Sequence, residues 1–178
     1  SKIQRIERVV KEQQESGIQP NIKKTQGLKL IGMKKIVSLT NYDLSELWGS
    51  FMPRREEIIH PASDDLISAA VYPPGYFEAF DPHTPFEKWA AREANDFRDI
   101  PQGMSALYIP EGLYSVFSYK GSSSDRRIYE YIFAQWLPGS GYSIDHRPHF
   151  EVLGENYRQY DPESEEEIWI PIMASQGS

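Results

Sequence analysis

Residues 167–173 read Glu167-Ile168-Trp169-Ile170-Pro171-Ile172-Met173. An apolar residue at every second position is the pattern of a strand, whose side chains alternate between faces. Ile168, Ile170 and Ile172 share one face, and Glu167, Trp169 and Pro171 share the other. The isoleucine face reads as core. A carboxylate and an indole on the opposite face are harder to explain by packing, and they mark Glu167 and Trp169 as candidate ligand contacts.

Outward from this strand, Asp161-Pro162-Glu163-Ser164 is turn chemistry, and 150–153 is a short strand before it. The acids at 163, 165 and 166 read as a solvated run. Ile128, Tyr131, Ile132, Gln135 and Trp136 recur close to a helical stripe, opened by the Gly121–Asp125 loop and closed by Pro138-Gly139. Residues 104–109 and 114–119 read as strands. A similar order occurs earlier. There, 28–39 is a strand broken at Met33-Lys34-Lys35, and Asn41 or Asp43 caps a helix through Leu44, Leu47, Trp48 and Phe51. Strands follow at 66–72 and 86–94. The unit of strand, helix and strands thus appears twice, at approximately 28–94 and 104–173, as a repeat of pattern without sequence identity. Helices gathered on one face of antiparallel strands make an α+β fold, with a groove between the halves.

Ahead of that body, Ile3, Ile6, Val9 and Val10 predict an amphipathic helix over 3–15, ended by Gly17 and Pro20. Residues 1–27 are therefore expected to be a helix and linker, and 28–173 the folded domain. The helix is too short to be a DNA-binding unit by itself. It is the one place for a surface that pairs with a second copy or with a regulatory partner.

Charge and composition narrow the function. The chain has 178 residues, a net charge of −7 and no cysteine. Disulfides, thiolate catalysis and Cys-ligated zinc are excluded. Residues 36–178 hold ten Lys/Arg against twenty-three acids, so the body repels phosphate backbones and attracts cations. Nucleic acid is not an expected direct partner. No apolar run approaches the ~20 residues that span a bilayer. The start of the chain has no apolar core of a signal peptide, so a cytoplasmic protein without membrane contact is expected. His60, His83, His146 and His149 lack metal-site spacing, and no nucleotide loop or G-x-S-x-G is present. No metal or cofactor is implied.

The second half carries a resemblance. Pro101-Gln102-Gly103-Met104 is followed by Ile109-Pro110-Glu111-Gly112-Leu113-Tyr114-Ser115-Val116-Phe117, then by Ile132 through Tyr142. Arg147-Pro148-His149-Phe150-Glu151, Asp161-Pro162-Glu163-Ser164 and Glu167 through Ile172 complete the series, with Leu47 through Arg54 in the first half. In that order they resemble the GyrI-like (AraC-type) effector-binding domains. That family includes the gyrase inhibitory protein and the ligand-sensing halves of multidrug-responsive regulators of the AraC and MerR types.

The resemblance implies two βαββ units about a pseudo-twofold axis with a ligand groove between them. It places Glu167 in that groove as the partner of cationic ligands. A carboxylate withdrawn from water needs a counter-charge, and aromatic walls add ~0.5–2 kcal/mol of cation–π attraction each. The expected ligands are amphipathic aromatic cations, and the expected contacts are Glu167, Trp169, Trp48, Phe51, Tyr72, Trp89 and Tyr114. Two alternatives remain beside this binding module. Some relatives resemble hydrolases of cyclopropane-containing alkylating natural products, which would make Glu167 an acid/base helped by Tyr114. Others inhibit DNA-handling proteins without a ligand.

Overall fold

The computed structural model describes residues 1–5 and 18–175. The amphipathic helix expected over 3–15 falls largely outside the described residues. The elements run β1 (Asn21–Thr25), β2 (Leu28–Val37), α1 (Ser45–Phe51), a 3₁₀ turn (Met52–Glu57), β3 (Pro61–Val71) and β4 (Phe86–Ala94). They continue with β5 (Ser105–Ile109), β6 (Gly112–Lys120), α2 (Arg127–Tyr131), a π-helical turn (Ile132–Trp136), α3 (Leu137–Gly139), β7 (Tyr142–Ile144), β8 (His149–Leu153) and β9 (Glu165–Ala174). Among these residues no helix is long and apolar enough to cross a membrane.

The chain is α+β, and its strands form one antiparallel sheet in the order β1-β6-β9-β8-β3-β4-β2-β5, with the short β7 also paired to β9. Strand–helix–strand–strand occurs twice, as β2-α1-β3-β4 and β6-α2-β8-β9, and the two sets meet where β3 pairs with β8. Three local readings change. Residues 21–25, expected as linker, form β1 on the free side of β6. The Met33-Lys34-Lys35 stretch does not break β2, because Met33, Lys34 and Lys35 stay in register with Ala90, Trp89 and Lys88. A lysine interrupts apolar alternation without costing the ladder a backbone donor. The short β7 has no apolar alternation to announce it.

Register assigns the faces. Lys34, Trp89, Ala69, Phe150, Trp169 and Val116 form one cross-strand row. On the other face, Ala90, Ser68, Glu151, Ile168 and Phe117 form the matching row. Both helices lie on this second face. Leu47 and Phe51 of α1 pack with Ile31, Ala90 and Ala94, while Ile128, Tyr131 and Ile132 pack with Phe117, Ile168 and Ile170. The helix-free face still buries Leu30, Trp89, Ile109, Tyr114 and Val116 to 2% exposure or less. With no helix over them, the sheet itself must curl to exclude water, which its right-handed twist favours.

Two local devices hold this arrangement. The Asp43 carboxylate accepts hydrogen bonds from the Ser45 backbone N–H (3.0 Å) and hydroxyl (2.6 Å), opening α1. Arg147, nearly buried, donates to Asp145 (2.6 Å), to the Leu113 carbonyl (2.6 Å) and to the Ile172 carbonyl (3.1 Å), clamping the approach to β8 onto β6 and β9.

Gly32 of β2 lies tight against β4: a Cβ there would collide with the Ala90 carbonyl oxygen and lie 2.6 Å from Ala91 Cα. Gly32→Ala is expected to destabilise by about 1–3 kcal/mol through overpacking. Gly49→Ala, in α1 with open space around it, should gain up to about 1 kcal/mol from helix propensity. Urea unfolding of the two variants checks both signs.

Candidate functional site

The helix-bearing face is not fully covered. Between Leu66, which packs with the α1 cluster, and Tyr72, β3 places the small Ser68 and Ala70 on that face, and their neighbours are Ala90, Lys88, Glu151 and His149. The α1 and α2 packing clusters sit to either side. Small side chains below and no helix above leave a cavity of about 740 Å³. That is room for a drug-sized molecule.

Aromatic side chains form much of the wall. After β3, Pro73-Pro74 blocks the strand and Gly75 takes a left-handed φ of 79°, turning the chain back. This returns Tyr76 and Phe77 to the sheet. Tyr72 meets Tyr76, Phe77, Phe86 and His149 with ring centroids 4.6–5.0 Å apart. Across the cavity, the π-helical turn presents Phe133, stacked on Phe77 at 5.8 Å. Arg126 lies over the Tyr129 ring at 4.4 Å near the rim.

The charged groups are unevenly solvated. Glu151 of β8 lines the cavity, and the Tyr129 hydroxyl donates to its Oε1. Behind it, Glu166 of β9 is 8% exposed, and its Oε2 has no hydrogen-bond partner. Burial first, then the charge of Glu151 and a hydrogen bond to it, push Glu166 up to about 8, against the pull of Lys88 and Arg126. At neutral pH Glu166 is therefore held protonated beside Glu151. Burial also holds Tyr129 well above its usual value, so it stays a neutral donor. His149 is held neutral: burial, then Lys88 and Arg147, lower it to about 3. The formal charges lining the cavity are Glu130 and Glu151 against Lys88 and Arg126.

Of the residues singled out by sequence, Tyr72 belongs to the cavity wall with its ring, and Trp169 borders the cavity from β9 while its ring packs on Phe150 and Tyr114 on the helix-free face. Trp48 and Phe51 pack edge-on at 6.0 Å in the α1 cluster. Trp89 is buried in the helix-free face, its indole N–H donating to Glu87 (3.0 Å). Tyr114 is fully buried there too and donates to the Pro148 carbonyl (2.7 Å), which leaves its hydroxyl committed. Glu167 shares the Trp169 face, accepts that indole N–H at 3.3 Å, and does not line the cavity. Tyr114 and Glu167 are thus not an acid/base pair across the cavity.

Alternation along β9 was read correctly, but the open space lies on its isoleucine side, where Ile168 and Ile170 serve as wall. Sequence reasoning missed Glu151, Lys88, Tyr129 and Glu166. Glu151 stood inside the quoted His149-Phe150-Glu151 motif. The signal available for Glu166 was its alternation with Ile168, an acid placed on an apolar face.

Comparison with known proteins assigns the family and the fold. The family described as GyrI-like small molecule binding domain matches residues 18–173. The transcriptional regulator BrlR of Pseudomonas aeruginosa is 26% identical over 145 residues, covering 80% of this chain and 51% of BrlR. The chain thus spans about half the length of that curated relative. Among solved structures, SAV2435 bound to tetraphenylphosphonium matches with a TM-score of 0.62 at 14% identity, over 86% of this chain and 93% of that one. The EcmrR C-terminal domain matches at 0.63 with 18% identity, over 88% and 98%. At such identities these two likenesses establish the fold.

The raised carboxyl of Glu166 makes stability depend on pH. The folded state holds a proton that the unfolded chain has released, between the ordinary carboxyl value of 4.5 and about 8. Stability should therefore fall as pH rises through that window. Glu166→Gln keeps a neutral side chain and should lose that slope. Urea midpoints of both proteins from pH 5 to about 9 test this; parallel profiles would place a charged Glu166 in the fold.

Proposed function

The chain belongs to the GyrI-like small molecule binding domain family, and from that premise we propose that its cavity captures amphipathic aromatic cations, with Glu151 supplying the counter-charge. The observation that carries this reading is a carboxylate on an aromatic wall. Glu151 lies among Tyr72, Phe77, Tyr129 and Phe133 around one space of about 740 Å³. Flat apolar rings accept varied ligand outlines, and each favours a cation over its face. A half-buried carboxylate gains more from a cation than one in bulk water, where screening weakens the pair.

The position of the site follows from the topology. We read β2-α1-β3-β4 and β6-α2-β8-β9 as two βαββ units related by a pseudo-twofold axis between β3 and β8. The cavity is then the groove at their join, and small residues on β3 keep it open. SAV2435, of like fold, has tetraphenylphosphonium bound in its solved structure. The same cation is the natural probe here. In a chain the length of BrlR, capture of such a cation by this domain is the event that the remaining half would report.

Glu166 gives the capture a pH signature. A cation beside Glu151 lowers the cost of a negative charge on Glu166, so binding should expel the Glu166 proton. Affinity for a permanent cation is expected to rise as pH is raised through about 8.

Calorimetric titration with tetraphenylphosphonium and with neutral triphenylphosphine oxide tests the assignment. The cation should bind the wild type at least about tenfold more tightly than the oxide, a difference of ~1.4 kcal/mol. Glu151→Gln should abolish that preference, whereas Glu167→Gln should leave the affinity within about twofold. Equal binding by Glu151→Gln and the wild type would remove the carboxylate from the role given to it.

A further inference from the structure

The cavity holds a charge that a simple cation does not satisfy. Lys88, on β4, is 5% exposed and belongs to the cavity wall. Its cross-strand neighbour on β3 is Ala70, and beyond Ala70 lies His149. The methyl group of Ala70 is too short to cover the ammonium, and His149 is held neutral. Among the described residues Lys88 makes no side-chain hydrogen bond and no ion pair. Glu87, its neighbour in sequence, points to the other face, where it pairs with Lys34 at 3.7 Å and accepts from Trp89. Glu151 stands opposite Ser68 rather than Ala70, and no ion pair joins it to Lys88 among the described residues.

A lysine is rarely buried to this degree without a partner, and the Lys88 ammonium, which is not among the fully enclosed unpartnered atoms, lines the cavity. Arg126 adds a second positive charge near the rim, also without an ion-pair partner among the described residues. A ligand that is only cationic finds Glu151 and meets Lys88. A ligand that also carries an anionic group satisfies both.

We propose that Lys88 is an anion-recognition point within the cavity, and that the preferred ligands are aromatic zwitterions, cationic at one end and bearing a carboxylate at the other. This rests on the reading of the cavity as the ligand site and specifies the ligand class it takes. Glu151 receives the cationic end and the Lys88 ammonium donates to the carboxylate. The aromatic body between them lies against Tyr72, Phe77 and Phe133.

Two fluorescent probes that differ at one group test the proposal. Rhodamine 110 carries a free carboxylate, and rhodamine 123 is its methyl ester, a pure cation. Fluorescence anisotropy titration of the wild type should show the acid bound at least about tenfold more tightly than the ester. Lys88→Met keeps the length of the side chain and removes the charge. It should bind the ester at least as well as the wild type does, which also shows that it is folded, and it should lose the preference for the acid. Lys88→Arg should retain that preference.

A wild type that binds the ester as tightly as the acid overturns the proposal, as does an acid-to-ester ratio unchanged in Lys88→Met. In both cases the cavity still stands as a cation site. If neither rhodamine binds while tetraphenylphosphonium does, the zwitterion class is rejected and the site is kept. If none of the three binds, the cavity reading fails and the proposal with it.

Discussion

The antiparallel pairing of β3 with β8, from Leu66 opposite Leu153 to Ala70 opposite His149, joins the two halves of the molecule into one sheet. Everything at the site is set by what these two strands place on the helix-bearing face. From β3 come Ser68 and Ala70, too small to fill the space above them. From β8 come Glu151 and His149, one a carboxylate and the other a ring held neutral by burial. Larger residues on β3 would close the seam as ordinary core. The helices cannot close it, because α1 is committed to Ile31, Ala90 and Ala94 and α2 to Phe117, Ile168 and Ile170. The cavity is therefore a property of the sheet, present before any ligand arrives, and its walls need little ordering on binding.

The two faces of the sheet treat carboxylates differently, and comparison of β4 with β9 shows why. Each strand carries the same Glu-x-Trp pair on the helix-free face, Glu87 with Trp89 and Glu167 with Trp169. Each tryptophan also has a lysine near its ring, Lys34 at 5.5 Å and Lys23 at 5.6 Å. There a carboxylate has an indole N–H to accept and a lysine close by. On the helix-bearing face, Glu151 has a tyrosine and a second carboxyl, and Lys88 makes no hydrogen bond or ion pair among the described residues. Charges on the first face are satisfied within the fold, while those on the second are left for something else.

Much of the architecture was legible in the sequence, and the failures are local. The alternation along β9 stood out because a half-buried strand writes its period directly into residue type, whereas the Ala-rich strand at 86–94, buried on both faces, carries no such period. The helical stripe at 128–136 was also visible, but its π-helical turn was not. A π turn widens the spiral without changing the composition of an apolar run, and only the positions of Phe133 and Trp136 reveal it. β1 was illegible because Asn21–Thr25 has one apolar residue, Ile22, and gains its place from the free edge of β6. The site depended on a harder question. Periodicity tells which residues share a face, but not which face the helices leave uncovered. Ile168 and Ile170 therefore read as core when they are both core and wall. Glu166 read as part of a solvated acidic run because its neighbours 163 and 165 are indeed exposed.

Glu166 and Lys88 have a common physical meaning. The buried carboxyl of Glu166 is kept in the neutral form that water would not favour, and Lys88 keeps its side chain 5% exposed without an ion pair among the described residues. Packing elsewhere carries that cost: the sheet interior around Trp89, Tyr114 and Val116, the two helix clusters and the Arg147 clamp do not depend on the cavity being full. A ligand that brings a positive charge to Glu151 and a negative one to Lys88 relieves both groups at once. Part of its binding free energy is then the recovery of electrostatic energy that folding stored at the seam of the two halves. Selectivity follows from the same source, because an uncharged molecule of the same shape fills the space and relieves neither group.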